Sequence, residues 1–155
     1  MKSCKRQYHP YGNVDLFKIP ETADKVLNEY WDITKKLKIK TFLIYGVCLG
    51  FIRDGGYIEG DSDIDVGIFG DIEELTVELI KNGFERKEGW WKNRHFLKHG
   101  ILIDVWFDGL DRKFLQSFDK VTYKKRDYAV PHPVKDYLKE IYDDWRTIRH
   151  RKVWP

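Results

Sequence analysis

The sequence predicts an α+β fold in a single compact domain, and three observations carry that expectation. The chain has 155 residues, 42% of them hydrophobic and 15% aromatic, which is enough to bury one core and too apolar for disorder. Separate segments repeat apolar residues at helical spacing, and between them lie short runs of strand composition. Two of those runs are apolar except for carboxylates set into them, so the same segments that predict the sheet also predict the chemistry.

The elements follow in order. Residues 1–20 hold Pro10, Gly12 and Pro20 without periodicity and read as an irregular arm across the surface. From Glu21 to about Lys38, Ala23, Val26, Leu27, Tyr30, Ile33 and Leu37 mark an amphipathic helix that starts just after Pro20. Thr41 to Gly46 reads as a strand ending in glycine, Val47 to Arg53 as a short helix, and Gly55-Gly56 as a break. The segment GDSDIDVG, Gly60 to Gly67, then runs into the strand residues Ile64, Val66 and Ile68. Asp71 opens a helix with Ile72, Leu75, Leu79 and Ile80 on one face, and Gly83 stops it. Phe84 to Trp91, Arg94 to Lys98 and Ile101 to Phe107 read as a meander turned at Lys92-Asn93 and at His99-Gly100. Two further short strands are expected between Lys113 and Tyr123, ahead of the break Pro131-His132-Pro133. A last helix carries Val134, Tyr137, Leu138, Ile141, Tyr142 and Trp145 on one stripe. The domain is expected over residues 21–150, with 151–155 a basic tail.

Charge names no partner. The net charge is +3 with 34% charged residues, and the runs Lys124-Lys125-Arg126 and His150-Arg151-Lys152 read as solvated surface, so no nucleic acid is expected. Cys48 sits between Val47 and Leu49 and reads as a buried thiol with no disulfide to Cys4. The N-terminus lacks an apolar leader and no stretch is apolar enough to span a membrane, so a soluble, cytoplasmic protein is the expectation.

Alternate residues of a strand share a face, which places Asp63 and Asp65 together above Ile64 and Val66. Two adjacent carboxylates at a core strand are costly without a cation. Asp104 is the lone polar residue of the apolar strand ILIDVWF, and a buried carboxylate there needs either a partner such as Arg94 or a metal. If the two strands are neighbours, three carboxylates converge. An all-oxygen set suits Mg²⁺ or Mn²⁺ more than Zn²⁺, and such ions serve phosphoryl transfer. The turn from Gly46 through Val47 to Gly50 offers backbone N–H groups to phosphate, and Arg53 offers a guanidinium. His95, His99 and His132 lack metal spacing and read as surface or packing residues. Trp90, Trp91 and Trp106 read as core, with stacking on a base or a sugar as the other use of such rings.

The segment YGVCLGFIRDGGYIEGDSDIDVGIF, Tyr45 to Phe69, resembles the signature of LicD/fukutin-type transferases. It has the glycine turn at Gly46, the Leu49-Gly50 pair, Arg53, Gly55-Gly56 and the acidic series Asp61, Asp63, Asp65, and it departs from the pattern in having Ser62 at the middle acidic position and Glu59-Gly60 in place of the aromatic-acidic step before the aspartates. The resemblance implies a nucleotidyltransferase-like mixed β-sheet flanked by helices, with a third catalytic carboxylate from a later strand, matched by Asp104. It implies transfer of a phospho-alcohol, of the phosphocholine or ribitol phosphate type, from a CDP-activated donor to a sugar or glycan hydroxyl. In that scheme Asp63 and Asp65 hold the metal, Asp104 completes the site and helps deprotonate the acceptor, and Asp61 is a further ligand directly or through water. An NTP-dependent nucleotidyltransferase acting on a small-molecule hydroxyl uses the same machinery, and a catalytically silent binding module keeps the same fold.

Overall fold

The structure is a computed structural model that describes residues 14–147. Residues 1–13, including Cys4, and residues 148–155, including the basic run from His150, lie outside it. The helices are α1 (Pro20–Lys36), α2 (Tyr45–Arg53), α3 (Ile72–Lys81) and α4 (Val134–Tyr142). The strands are β1 (Lys40–Leu43), β2 (Asp63–Phe69), β3 (Glu85–Lys87), β4 (Asn93–Lys98), β5 (Ile101–Trp106), β6 (Phe118–Tyr123) and β7 (Arg126–Pro131).

Five strands form one mixed sheet in the order β1-β2-β5-β4-β3. Strands β2 and β5 run parallel and the other pairs antiparallel. The parallel pair is the centre of the molecule: Ile64, Val66, Ile103 and Val105 are fully buried, as expected of strands covered on both faces. Helices α1 and α3 cover one face. There Arg94 reaches Glu73 and Thr76 of α3, Lys98 reaches Glu29 of α1, and Tyr30 hydrogen-bonds Thr41 at 2.8 Å. Helix α2 packs on β2 from the other face, with the β6–β7 hairpin and α4 beyond it.

Local chemistry explains the boundaries. Pro20 starts α1. Asp71 caps α3 by accepting from the N–H groups of Glu73 and Glu74. At its other end Phe84 N–H reaches Leu79 and Gly83 N–H reaches Ile80, the paired bonds of a Schellman stop. The His99-Gly100 turn has both residues at positive φ, as a two-residue hairpin requires.

Several expectations are corrected. Only one strand falls between Lys113 and Tyr123, where a short 3-10 turn at Arg112–Phe114 leads into β6. Its partner β7 comes later and runs into Pro131, and the pair forms a separate two-stranded sheet. The basic run supplies its turn, with Lys124 and Lys125 at φ 48° and 65°, a conformation that lysine does not advertise. The arm is not merely superficial, because Leu16 is fully buried and its N–H donates to the Asp61 carbonyl at 2.9 Å. In α3 the third inward position belongs to Thr76, and Ile80 is exposed. Strand β3 is only three residues long, so Trp90 and Trp91 fall in the β3–β4 turn, 61% and 62% exposed, and not in the core. Among the described residues no helix is long and apolar enough to cross a membrane.

Candidate metal and phosphate site

The parallel pairing of β2 with β5 sets Asp65 directly beside Asp104. Because Asp63 shares a face with Asp65, one register places three carboxylates together. Asp63, Asp65 and Asp104 each offer an oxygen within 4.8 Å of the others. The pleat turns Ile64, Val66, Ile103 and Val105 to the opposite face. Arg94 is directed to Glu73 and Thr76 on that opposite face, which removes it as the partner of Asp104.

Asp65 sits among other acids. Burial, followed by the charges of Asp63, Asp104 and Asp61, pushes the Asp65 pKa well above the ordinary carboxylate range. The Trp106 indole N–H counters this in part from close by, short of a well-formed hydrogen bond, and it has no other acceptor among the described residues. Asp104, 2% exposed, accepts from the Asn93 amide at 2.7 Å, and His95 Nε2 lies 3.3 Å from the same oxygen. These contacts hold its orientation.

Sequence reasoning missed Asn93 and His95, assigning the first to a turn and the second to surface or packing. The signal lay in the register: His95 pairs with Asp104, and Asn93, two residues earlier, shares its face. Both are almost fully buried.

The other candidates are distributed along α2. Tyr45 opens the helix at φ 51°, a strained value for a non-glycine residue. Its N–H is taken by the Tyr137 hydroxyl at 3.0 Å, and its ring packs edge-on against Trp106. Gly46 and Val47 follow in the first turn, where N–H groups lack partners inside the helix. The Asp61 carboxylate lies against Gly46: a Cβ there would come within 2.6 Å of Asp61 Oδ2. Glycine at 46 thus makes room for Asp61, which is buried beside the three-carboxylate group and not a member of it. Gly50 is a turn further on, closing against the Gly56 carbonyl. Arg53 ends the helix, roughly 10 Å of axial rise beyond Gly46, and its guanidinium makes two bonds to Asp54 and one to the Trp145 carbonyl. The structure therefore gathers Asp61, Gly46 and Val47 near Asp63, Asp65 and Asp104, and it sets Gly50 and Arg53 apart.

No family model and no curated protein matches the chain in sequence. Solved structures match it in shape. The crystal structure of ANT(2")-Ia in complex with adenylyl-2"-tobramycin aligns with a TM-score of 0.56 at 12% identity, over 84% of this chain and 80% of that one. A tRNA-processing enzyme in an apo form aligns with a TM-score of 0.50 at 16% identity, over 80% of this chain and 35% of that one. The chain has a nucleotidyltransferase-like α+β fold.

Proposed function

We propose that the protein transfers a nucleotidyl group from an NTP to a hydroxyl of a small molecule, with Asp63, Asp65 and Asp104 holding Mg²⁺ or Mn²⁺. The observation that carries this reading is the convergence of those three carboxylates from two parallel strands beside the start of α2. The fold is shared with ANT(2")-Ia, whose complex contains an adenylylated small molecule, and this supports the choice of reaction. The residues fit such an ion: the donor set is all oxygen, and the repulsion that raises Asp65 is what a dication relieves. When bound, the metal neutralises charge that develops on the transferred phosphoryl group.

The chain's own residues divide the remaining work. Gly46 and Val47, in the first turn of α2, face phosphate oxygens with their N–H groups. Asp104, fixed through its Oδ1 by Asn93, accepts the proton of the acceptor hydroxyl as that oxygen attacks the α-phosphorus. The bond to pyrophosphate breaks, and pyrophosphate leaves. Asp61, behind Gly46, supports the cluster from its edge.

A second reading is favoured by the acidic series Asp61, Asp63, Asp65 following Leu49-Gly50, which resembles LicD/fukutin-type transferases. The same residues would then act on the distal phosphorus of a CDP-alcohol, releasing CMP and passing the phospho-alcohol to a sugar or glycan. Incubating the protein with Mg²⁺ or Mn²⁺ and each of the four NTPs, CDP-choline or CDP-ribitol separates the two. Pyrophosphate from an NTP supports the first reading, and CMP from a CDP-alcohol the second. Donor breakdown no faster than that of the Asp65→Asn variant overturns both and leaves a binding module.

A further inference from the structure

We propose that Trp90, Trp91 and Lys92, in the β3–β4 turn, form the platform that receives the acceptor, and that this acceptor is a neutral or acidic sugar and not an amino sugar. The inference rests on the transferase reading above and assigns the acceptor side of that site.

The turn is firmly built. Trp90 N–H donates to Asn93 Oδ1 at 3.1 Å, and the Lys92 carbonyl accepts from Phe107 at 3.0 Å and Asp108 at 3.2 Å. Its backbone is thereby pinned to the end of β5, yet both indoles remain about three-fifths exposed. Their centroids are 6.2 Å apart and their planes 57° from parallel, and the Lys92 ammonium lies over both rings. Large rings are normally the first to be buried, and an adjacent exposed pair on an ordered turn marks a contact surface.

Position assigns the occupant. Asn93, which accepts from Trp90, donates to Asp104 at 2.7 Å, so two hydrogen bonds join the platform to the carboxylate that takes the acceptor's proton. Helix α2 follows β1 at one edge of the sheet, whereas the Trp90-Trp91 turn joins β3 to β4 at the other. With phosphates at α2, the turn lies on the far side of Asp104, where the acceptor must enter. Indole faces pack well against the C–H face of a sugar ring. The Lys92 ammonium lies 4.5 Å from the centroid of Trp91 and 5.8 Å from that of Trp90. Its charge attracts a carboxylate or phosphate on the ring and repels an ammonium.

The test is a titration of the full chain with maltose, glucuronate, glucosamine and Mg²⁺-ATP or Mg²⁺-CTP, followed by tryptophan fluorescence and calorimetry. The expected result is a response to maltose and glucuronate that exceeds the response to glucosamine, with affinity falling about fivefold or more in W90A and W91A. K92E should reverse the preference between glucuronate and glucosamine. Sugar affinity unchanged in W90A and W91A, a fluorescence response to nucleotides alone, or no response to any sugar would each overturn the platform. Donor breakdown without acceptor reads the transferase chemistry separately. A protein that consumes donor but ignores sugars refutes the platform alone, and one that binds sugars through Trp91 but consumes no donor refutes only the transferase reading.

Discussion

Two groups of acids in this protein have opposite surroundings. Asp24 of α1 accepts hydrogen bonds from the Tyr57 hydroxyl at 2.7 Å, the Tyr123 hydroxyl at 3.2 Å and the Lys124 ammonium at 2.7 Å. It ties α1 to the loop before β2 and to the β6–β7 hairpin, and its charge is matched. Asp65 and Asp104 face each other and Asp63, with the Asn93 amide and His95 against Asp104 and the Trp106 indole near Asp65. The first arrangement stabilises the fold; in the second, burial among acids disfavours the charged form of Asp65, which a cation would relieve. Acids that hold a structure together and acids that work on a substrate are told apart by what compensates them, more than by how deeply they lie.

The sharpest way to break the comparison is to neutralise one acid in each group. Asp65→Asn should lower turnover by about three orders of magnitude while raising the melting temperature of the metal-free protein, by about 2–4 °C per kcal/mol of repulsion removed. Asp24→Ala should do the reverse, costing about 2–3 kcal/mol of stability by leaving buried hydroxyls without their acceptor, measured by urea unfolding. Loss of stability in both would erase the distinction. Asn93→Ala, which removes the donor from Asp104, should lower turnover about tenfold, and an unchanged rate would remove Asn93 from the site.

Titration gives a finer contrast. Asp65 has a folded pKa above its unfolded one, so between the two the native state holds a proton that the unfolded chain has lost. The metal-free protein should therefore lose stability as pH rises through that window and regain it as pH falls, and saturating Mg²⁺ should flatten the dependence. Asp119 is the opposite case. Partial burial raises its pKa, but hydrogen bonds from His132 and from the Val134 N–H at the start of α4 bring it below the ordinary value. Its contribution is present above the ordinary carboxylate pKa and lost as pH falls through the lower, folded one. With its side chain 36% exposed, it is worth at most about 1 kcal/mol, so Asp119→Asn should shift acid unfolding only slightly.

The carboxylate cluster was legible in sequence because each acid stood at a fixed phase in an apolar strand, and that phase survives whatever the tertiary arrangement. Asp63, Asp65 and Asp104 needed only the assumption that their strands are neighbours. Helices α1 and α3 were legible from Pro20 and Asp71, whose local chemistry starts a helix in isolation. Asn93 and His95 were not, because nothing local distinguishes them until β4 is laid against β5 in a definite register. The Asp24 network was beyond reach for the same reason, since its partners come from 33 and 99 or 100 positions away. Strand β7 was hidden by its ending in Pro131 and by a turn made of two lysines. Trp90 and Trp91 misled in the other direction: composition said core, and only the shortness of β3 left them outside.

The central claim is that Asp63, Asp65 and Asp104 form a divalent-cation site, and calorimetric titration of Mn²⁺ into the metal-free protein tests it directly. The account predicts saturable binding with proton release, stronger at pH 8 than at pH 6, and abolished in both Asp65→Asn and Asp104→Asn. Binding of equal strength in wild type and either variant, or no binding to the wild type at millimolar Mn²⁺, would contradict it.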